Sequence, residues 1–339
     1  MVNNRTVDNI DKLVSSILED NKPKKYNVLF TPRRVKDRLE QLKTILQQEH
    51  IDGDLDLSNL PITDLGNLKS ITGNLSLSST NIKSLGFLKS VDGWLDLTYS
   101  SITDLGSLEF VGDWLDLSHT PITDLGSLKF VGDYLNLRYT PITSLGSLKS
   151  VDGWLDLTYS SITDLGSLES VGSYLDLHNT PITSLGSLRS VGGYLYLSST
   201  QIKSLGSLKS VESSLFLYDT PITNLGSLKS VGGNLDLQKT PITNLGSLES
   251  VGGDLDLYGA SITNLGSLKL VKGNLNLSHT PITSLGSLES VGDDLDLRDT
   301  PITNLGSLRS VGKIIINRNS ELGIDSLPEH LKNKVRFES

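Results

Sequence analysis

From Ile51 to Ser310 the chain is thirteen consecutive 20-residue repeats with no insertion. A typical repeat, Val231 to Ser250, reads VGGNLDLQKTPITNLGSLES. Six positions are apolar in every copy: the first (Ile or Val), the fifth and seventh (Leu), the twelfth (Ile), and the fifteenth and eighteenth (Leu). Only 37% of the residues are hydrophobic, so the repeats have gathered an ordinary apolar content into six columns. One 20-residue segment cannot bury its own leucines, whereas identical coils stacked on one another can. The period therefore predicts a solenoid.

The local spacing assigns each column a task. Positions 4 to 8, as in Trp94-Leu95-Asp96-Leu97-Thr98, alternate outward and inward, which is the pattern of a half-buried strand. Apolar residues three apart follow (Ile102, Leu105, Leu108, Val111). That run is too short, and too interrupted by Gly106, for an α-helix, and predicts a return arm of turns or 3₁₀ pieces. Glycine fills position 16 in all thirteen repeats and mostly position 2 or 3, where the coil is expected to corner. Proline occupies position 11 in eight repeats, just past the strand, where a missing N–H costs the sheet nothing.

The run LxLxxTxIxxLxxLxxV resembles the leucine-rich repeat, over about three quarters of the chain. The short period is similar to that of bacterial and viral members. The three residues between Val and the first strand Leu resemble the receptor L-domain type of coil, which leaves both a straight and a horseshoe course open. Thr or Ser replaces the family's usual Asn after the strand in eleven repeats (Thr120, Thr140, Ser160), with Leu60 and Ala260 as the exceptions. A hydroxyl there can still bond a neighbouring backbone group. Repeats rich in TPITxLGSL also resemble those of large phages and other viruses. The resemblance implies a β-solenoid of leucine-rich-repeat type, mainly β, and a cytoplasmic or virion-associated binding or scaffold protein.

Three regions follow: 1–50, 51–310 and 311–339. In the first, Val7, Ile10, Val14 and Ile17 fall at helical spacing, and a Lys-rich linker follows. A second helix is expected from Thr31 (N-cap) and Pro32 to Glu49, capping the first coil. Residues 1–26 are expected to dock on another protein or another copy. In the last region, Lys313–Asn317 reads as a final strand, and a short helix from Pro328 to Lys334 would close that end. MVNNRTVDNIDKLVSS has no continuous apolar stretch, so no signal peptide is expected, and no 18-residue apolar run suggests a membrane span.

Chemistry is sparse. With no cysteine, thiol catalysis and cysteine–zinc sites are excluded. His50, His119, His178, His279 and His330 fall in columns and repeats too far apart to share a metal, so no metal, no cofactor and no catalytic residue is expected. Position 6 carries Asp in eight repeats, among them Asp96, Asp116, Asp156 and Asp176. Stacked carboxylates about 5 Å apart match a retaining glycosidase in separation, but a flat sheet face gives no means of splitting their pKa values. The −13 charge of the repeats argues against nucleic acid, even though position 19 holds nine Lys/Arg among four Glu.

Position 4 is the sharper signal. It reads Trp94, Trp114, Tyr134, Trp154, Tyr174 and Tyr194 over six consecutive repeats and holds all three tryptophans. Tyr99, Tyr139, Tyr159, Tyr196, Phe216 and Tyr218 extend the patch. An exposed aromatic patch marks an interface, and the repeats continue without it from Ser214 onward. A protein partner is expected at these rings and the neighbouring Asp96, Asp116, Asp156 and Asp176. The alternative is a glycan, held by an adhesin through ring stacking and carboxylates. Residues 91–109 and 151–169 are identical, which suits a binding rod tolerant of repeat number.

Overall fold

The computed structural model describes residues 45–338, apart from the side chain of Ser326. The chain divides into two units, Met1–Ile142 with Gly146–Leu148, and Thr143–Leu145 with Lys149–Ser339. The same coil builds both, giving a parallel β-solenoid of about fourteen turns. Each repeat contributes two short strands, such as Ser90–Val91 and Leu95–Asp96, of two residues except at Asp294–Asp296. Because every repeat has 20 residues, like pairs with like. In the first unit Leu95 lies between Leu75 and Leu115, and Val91 between Ile71 and Val111. In the second, Leu175 lies between Leu155 and Leu195. The six apolar columns point inward. Leu97, Ile102, Leu105 and Leu108 are wholly buried, and the pattern recurs from repeat to repeat.

Each coil bends at positions 2–3, 8–9 and 16–17, and the last two corners share one design. At the first of these two, Asp96 Oδ1 accepts the N–H of Thr98 at 2.9 Å, and the next residue, Tyr99, is left-handed at φ 54°. At the second, Asp104 Oδ1 accepts the N–H of Gly106 at 2.8 Å, and Gly106 is left-handed at φ 58°. These are Asx turns, which bend the chain with a side-chain oxygen two residues back. Of the turns or 3₁₀ pieces expected in the return arm, turns form, closed by bonds such as the Leu108 N–H to the Leu105 carbonyl at 3.2 Å, together with isolated parallel bridges such as Ser84↔Asp104.

The two left-handed positions differ in sequence for a steric reason. Position 9 is left-handed in all thirteen repeats yet is glycine only at Gly259. A Cβ built on Gly259 meets only the Lys239 side chain, at 3.9 Å. At position 16, a Cβ on Gly226 would stand 2.3 Å from the Gly206 carbonyl oxygen, whereas one on Gly206 meets nothing within 4 Å. Gly206→Ala is expected to cost about 1–2 kcal/mol for backbone conformation alone. Gly226→Ala adds a backbone clash and is expected to cost about 3 kcal/mol or more. Urea midpoints of the two variants check the order. The glycines at positions 2 and 3 stand at a bend, as expected, and they also serve close approach. A Cβ on Gly112 would lie 2.0 Å from the Asp92 carbonyl oxygen, with no positive φ.

The hydroxyl column behind the strand is satisfied. Thr120 Oγ1 donates to the Leu117 carbonyl at 2.6 Å, and Thr180, Thr220 and Thr240 repeat the bond to Leu177, Leu217 and Leu237. Ser100 and Ser160 are the exceptions, with buried Oγ atoms that find no partner. Ser100→Thr and Ser160→Thr should each stabilise the chain by about 1 kcal/mol, because the extra methyl fixes the rotamer that bonds. Thermal unfolding of the double variant measures this.

The ends differ from expectation. The helical stripe Val7–Ile17, the linker and most of the Thr31–Glu49 helix lie outside the described residues, as does the expected docking role of residues 1–26. Within the described residues, Leu46 is buried, its carbonyl accepts the N–H of Asn67, and His50–Ile51 pairs with Ser70–Ile71. At the C-terminal end a helical cap is not what closes the coil. The helix is a single turn, Glu329–Lys332, after a 3₁₀ turn at Ile324–Ser326. The last strand, Lys313–Ile316, pairs with Asp294–Asp296, and Val335–Phe337 then adds one further parallel strand. Ile314 and Ile316 continue the buried leucine columns, and a parallel strand covers them while also pairing the open sheet edge, which a helix does not.

Candidate functional site

Position 4 has two alternative chemistries. In the polar repeats its side chain bonds the main chain of the next coil. Asp54 Oδ1 accepts the N–H of Asn74, Asn74 Oδ1 that of Trp94, and Ser214 Oγ that of Asn234. Asn234, Asp254 and Asn274 repeat the bond to Asp254, Asn274 and Asp294, all at 2.7–3.1 Å. This polar ladder satisfies an amide that the neighbouring strands do not reach. An indole or phenol has no acceptor near its own backbone, so the aromatic repeats give up the bond. The aromatic column thus replaces a side chain that accepts this bond with a ring that cannot.

The rings are ordered. In the first unit Trp94 and Trp114 stack with centroids 4.8 Å apart and planes 7° apart. A second stack stands on the left-handed corner: Tyr99, His119 and Tyr139, with centroids 4.7 Å apart at each step. Tyr99 is 64% exposed and Tyr139 47%. His119 is a surface residue, and sequence reading did not place it inside an aromatic stack. Only the structure brings position 9 of three repeats together. Tyr134, one repeat beyond Trp114, is half-buried and also belongs to this unit.

In the second unit Trp154 is 51% exposed and meets Tyr174 edge-on at 4.7 Å. Tyr174 and Tyr194 stack at 5.0 Å. The aromatics then move to position 6, where Tyr196 and Phe216 stack at 4.9 Å. These two stand where other repeats hold the turn-forming Asp. Burial, with Asp176 nearby, raises the Tyr196 hydroxyl above the usual tyrosine range. Phe110 and Phe130 form a further stack in the first unit, at 5.4 Å, which the sequence did not single out.

The aspartates at position 6 are structural. Asp96, Asp116, Asp156 and Asp176 each accept the N–H two residues on, at 2.8–3.1 Å. Asn136 and Asn276 do the same, so the turn needs an oxygen and no charge. Asp176 also meets His178 Nδ1 at 2.5 Å. Among the described residues no three of His, Asp and Glu gather where a metal could sit. The position-19 column pairs across coils, as in Lys129 with Glu109 at 2.6 Å and Lys149 with Glu169 at 3.3 Å. These exposed pairs add little stability.

Asp236 and Asp256 are half-buried, and desolvation raises both carboxyls above the usual aspartate range. The folded state then holds the proton more readily than the unfolded chain. The stability each contributes is complete below the unfolded pKa and is lost as pH rises through the folded one. Asp236→Asn keeps the acceptor for Gln238 and removes the charge. It should be more stable than the parent at pH 7, and the gain should vanish at acid pH. Paired denaturation curves at the two pH values measure it.

No helix among the described residues is long and apolar enough to cross a membrane. No protein-family model matches the chain. No curated protein matches it. Among solved structures it is similar to YopM from Yersinia enterocolitica WA-314, at 16% identity, over 96% of this chain and 98% of that one, with a TM-score of 0.28. So loose a superposition carries no argument. The parallel β-solenoid rests on the chain's own columns, its parallel register and its two strands per repeat.

Proposed function

We propose that this protein is a non-enzymatic binding scaffold that holds a protein partner on the aromatic side of its coils. The observation that carries this reading is the exchange at position 4. Six repeats trade a bond-forming Asn, Asp or Ser for a large ring, and the repeats on either side show that the fold does not require it. Rings without a structural task, exposed or half-buried, and held in ordered stacks, have the composition of an interface core. The position-6 aspartates are occupied with turn formation, which is a role without catalysis.

Geometry favours protein over glycan. A sugar ring stacks on an aromatic face, but Trp94 and Trp114, Tyr99 and His119, and Tyr174 and Tyr194 spend their faces on each other. Their edges point outward, and edges suit side-chain and main-chain contacts. A virion-associated setting is supported by the resemblance of the repeats to those of phages and other viruses, and by nothing in the geometry. The test is capture of partners from a source lysate by the parent chain and by a triple variant, Trp94→Asn, Trp114→Asn and Trp154→Asn. A protein retained by the parent and lost by the variant supports the reading, and equal retention by both removes it.

A further inference from the structure

The negative charge of the repeats is one-sided. Positions 2 to 9, the side that bears the aromatics, hold twenty Asp/Glu and four Lys/Arg over the thirteen repeats. Positions 10 to 20, the return arm, hold eight Asp/Glu and eleven Lys/Arg, several of them paired across coils. In the first unit the aromatic side carries eight carboxylates against Arg138 alone. Five of these eight, Asp92, Asp96, Asp113, Asp116 and Asp133, lie within the repeats that hold Trp94, Trp114, Tyr134, Tyr99, His119 and Tyr139. Asp96 and Asp116 form the corners. Asp92, Asp113 and Asp133 lie at the bend of positions 2–3, and among the described residues their carboxylates make no turn-forming hydrogen bond and no ion pair. Asp92 and Asp133 are exposed, and Asp113 and Asp133 directly precede Trp114 and Tyr134.

A fold that needs only an oxygen at its corners does not need this charge, and Asn136 and Asn276 show the neutral solution. Unpaired like charges stacked at a strand spacing of about 5 Å repel one another, so the carboxylates raise the energy of the free protein. A cationic partner reverses the sign of that contribution. Aromatic edges flanked by free carboxylates match Lys and Arg side chains, whose apolar stems lie on the rings while their heads meet the acids. We propose that the aromatic side of the first unit binds a Lys/Arg-rich segment of a protein partner, with Asp92, Asp113 and Asp133 supplying the charge recognition. This rests on the binding-scaffold reading and gives its partner a chemistry.

The chain provides its own reporter, because all three tryptophans lie in position 4 and two of them, Trp94 and Trp114, lie in this unit. The full chain is titrated at physiological salt with a 12-residue Arg/Ser peptide and with its Glu/Ser counterpart, following tryptophan emission. The Arg/Ser peptide should give a saturable shift that weakens as salt rises, and the Glu/Ser peptide none. Asp92→Asn, Asp113→Asn and Asp133→Asn together should weaken Arg/Ser binding about tenfold. A variant with the same charge change in the second unit, Glu212→Gln, Asp219→Asn and Asp293→Asn, should change it less than about twofold. Equal losses from the two variants, or no binding by the parent, would overturn the inference. A lysate partner lost by the tryptophan variant but kept by the Asp92/Asp113/Asp133 variant overturns the basic-segment inference and leaves the scaffold reading standing. Loss from both supports the two together.

Discussion

Leu237→Asp is expected to unfold the second unit. Leu237 is wholly buried, with Leu217 and Leu257 wholly buried on either side in the same column. A carboxyl there has no partner, and the cost of burying it exceeds the transfer energy of the leucine it replaces. The truncation Leu237→Ala alone should cost about 2–5 kcal/mol, because six columns in register leave little room for collapse around the cavity. In a solenoid, stability sums repeat by repeat through nearest neighbours, so a lesion in the middle of a unit interrupts the stack on both sides. Circular dichroism and limited proteolysis report the outcome. A native-like Leu237→Asp chain, with cleavage no faster than the parent's, would falsify this account of the core.

The tryptophan triple variant should behave in the opposite way. Trp94→Asn, Trp114→Asn and Trp154→Asn put into the column the side chain that Asn74, Asn234 and Asn274 already use there. Each new Asn can accept the N–H of the following coil, gaining about 1 kcal/mol, while ring stacking worth about 0.5–1.5 kcal/mol per pair is lost. The two nearly cancel, so thermal stability should stay within a few degrees of the parent. Partner affinity should fall by two orders of magnitude or more, since truncating central aromatic anchors costs about 2 kcal/mol or more apiece. A variant that loses binding and stability together would return the rings to a structural role. This pairing of outcomes separates interface from scaffold without knowledge of the partner.

How much was legible in the sequence can be judged from particular residues. Leu95, Leu97, Ile102, Leu105 and Leu108 were assigned to the core by period alone, and all are wholly buried. The period is 20 without exception, so any stacking that buries one copy buries all of them. The bond from the position-10 hydroxyl to the backbone followed from the chemistry of Thr. The return arm was expected to be turns or 3₁₀ pieces, because spacing by three fits both, and it forms turns. The oxygen of Asp104, not the apolar spacing, decides between them. The C-terminal closure was misread for a similar reason: Val335 to Phe337 is too short to announce a strand until a partner edge is available.

The sequence by itself determined that the chain stacks, which residues go inside and which columns carry rings and charge, because a strict repeat turns composition into geometry. Only the tertiary structure decided what the outward columns do. Left-handed backbone at position 9 has no glycine to betray it, since the space beside that Cβ is open. His119 becomes part of an aromatic stack only when residues 20 apart in the chain come within 5 Å in space. The aspartates of position 6 read as an acidic surface until their oxygens are seen on main-chain amides two residues on. Position 4 reads as a change of surface residue until the ladder that the rings displaced is in view. In each case the deciding interaction is a bond or a contact between neighbouring coils, and such contacts exist only after the chain has stacked.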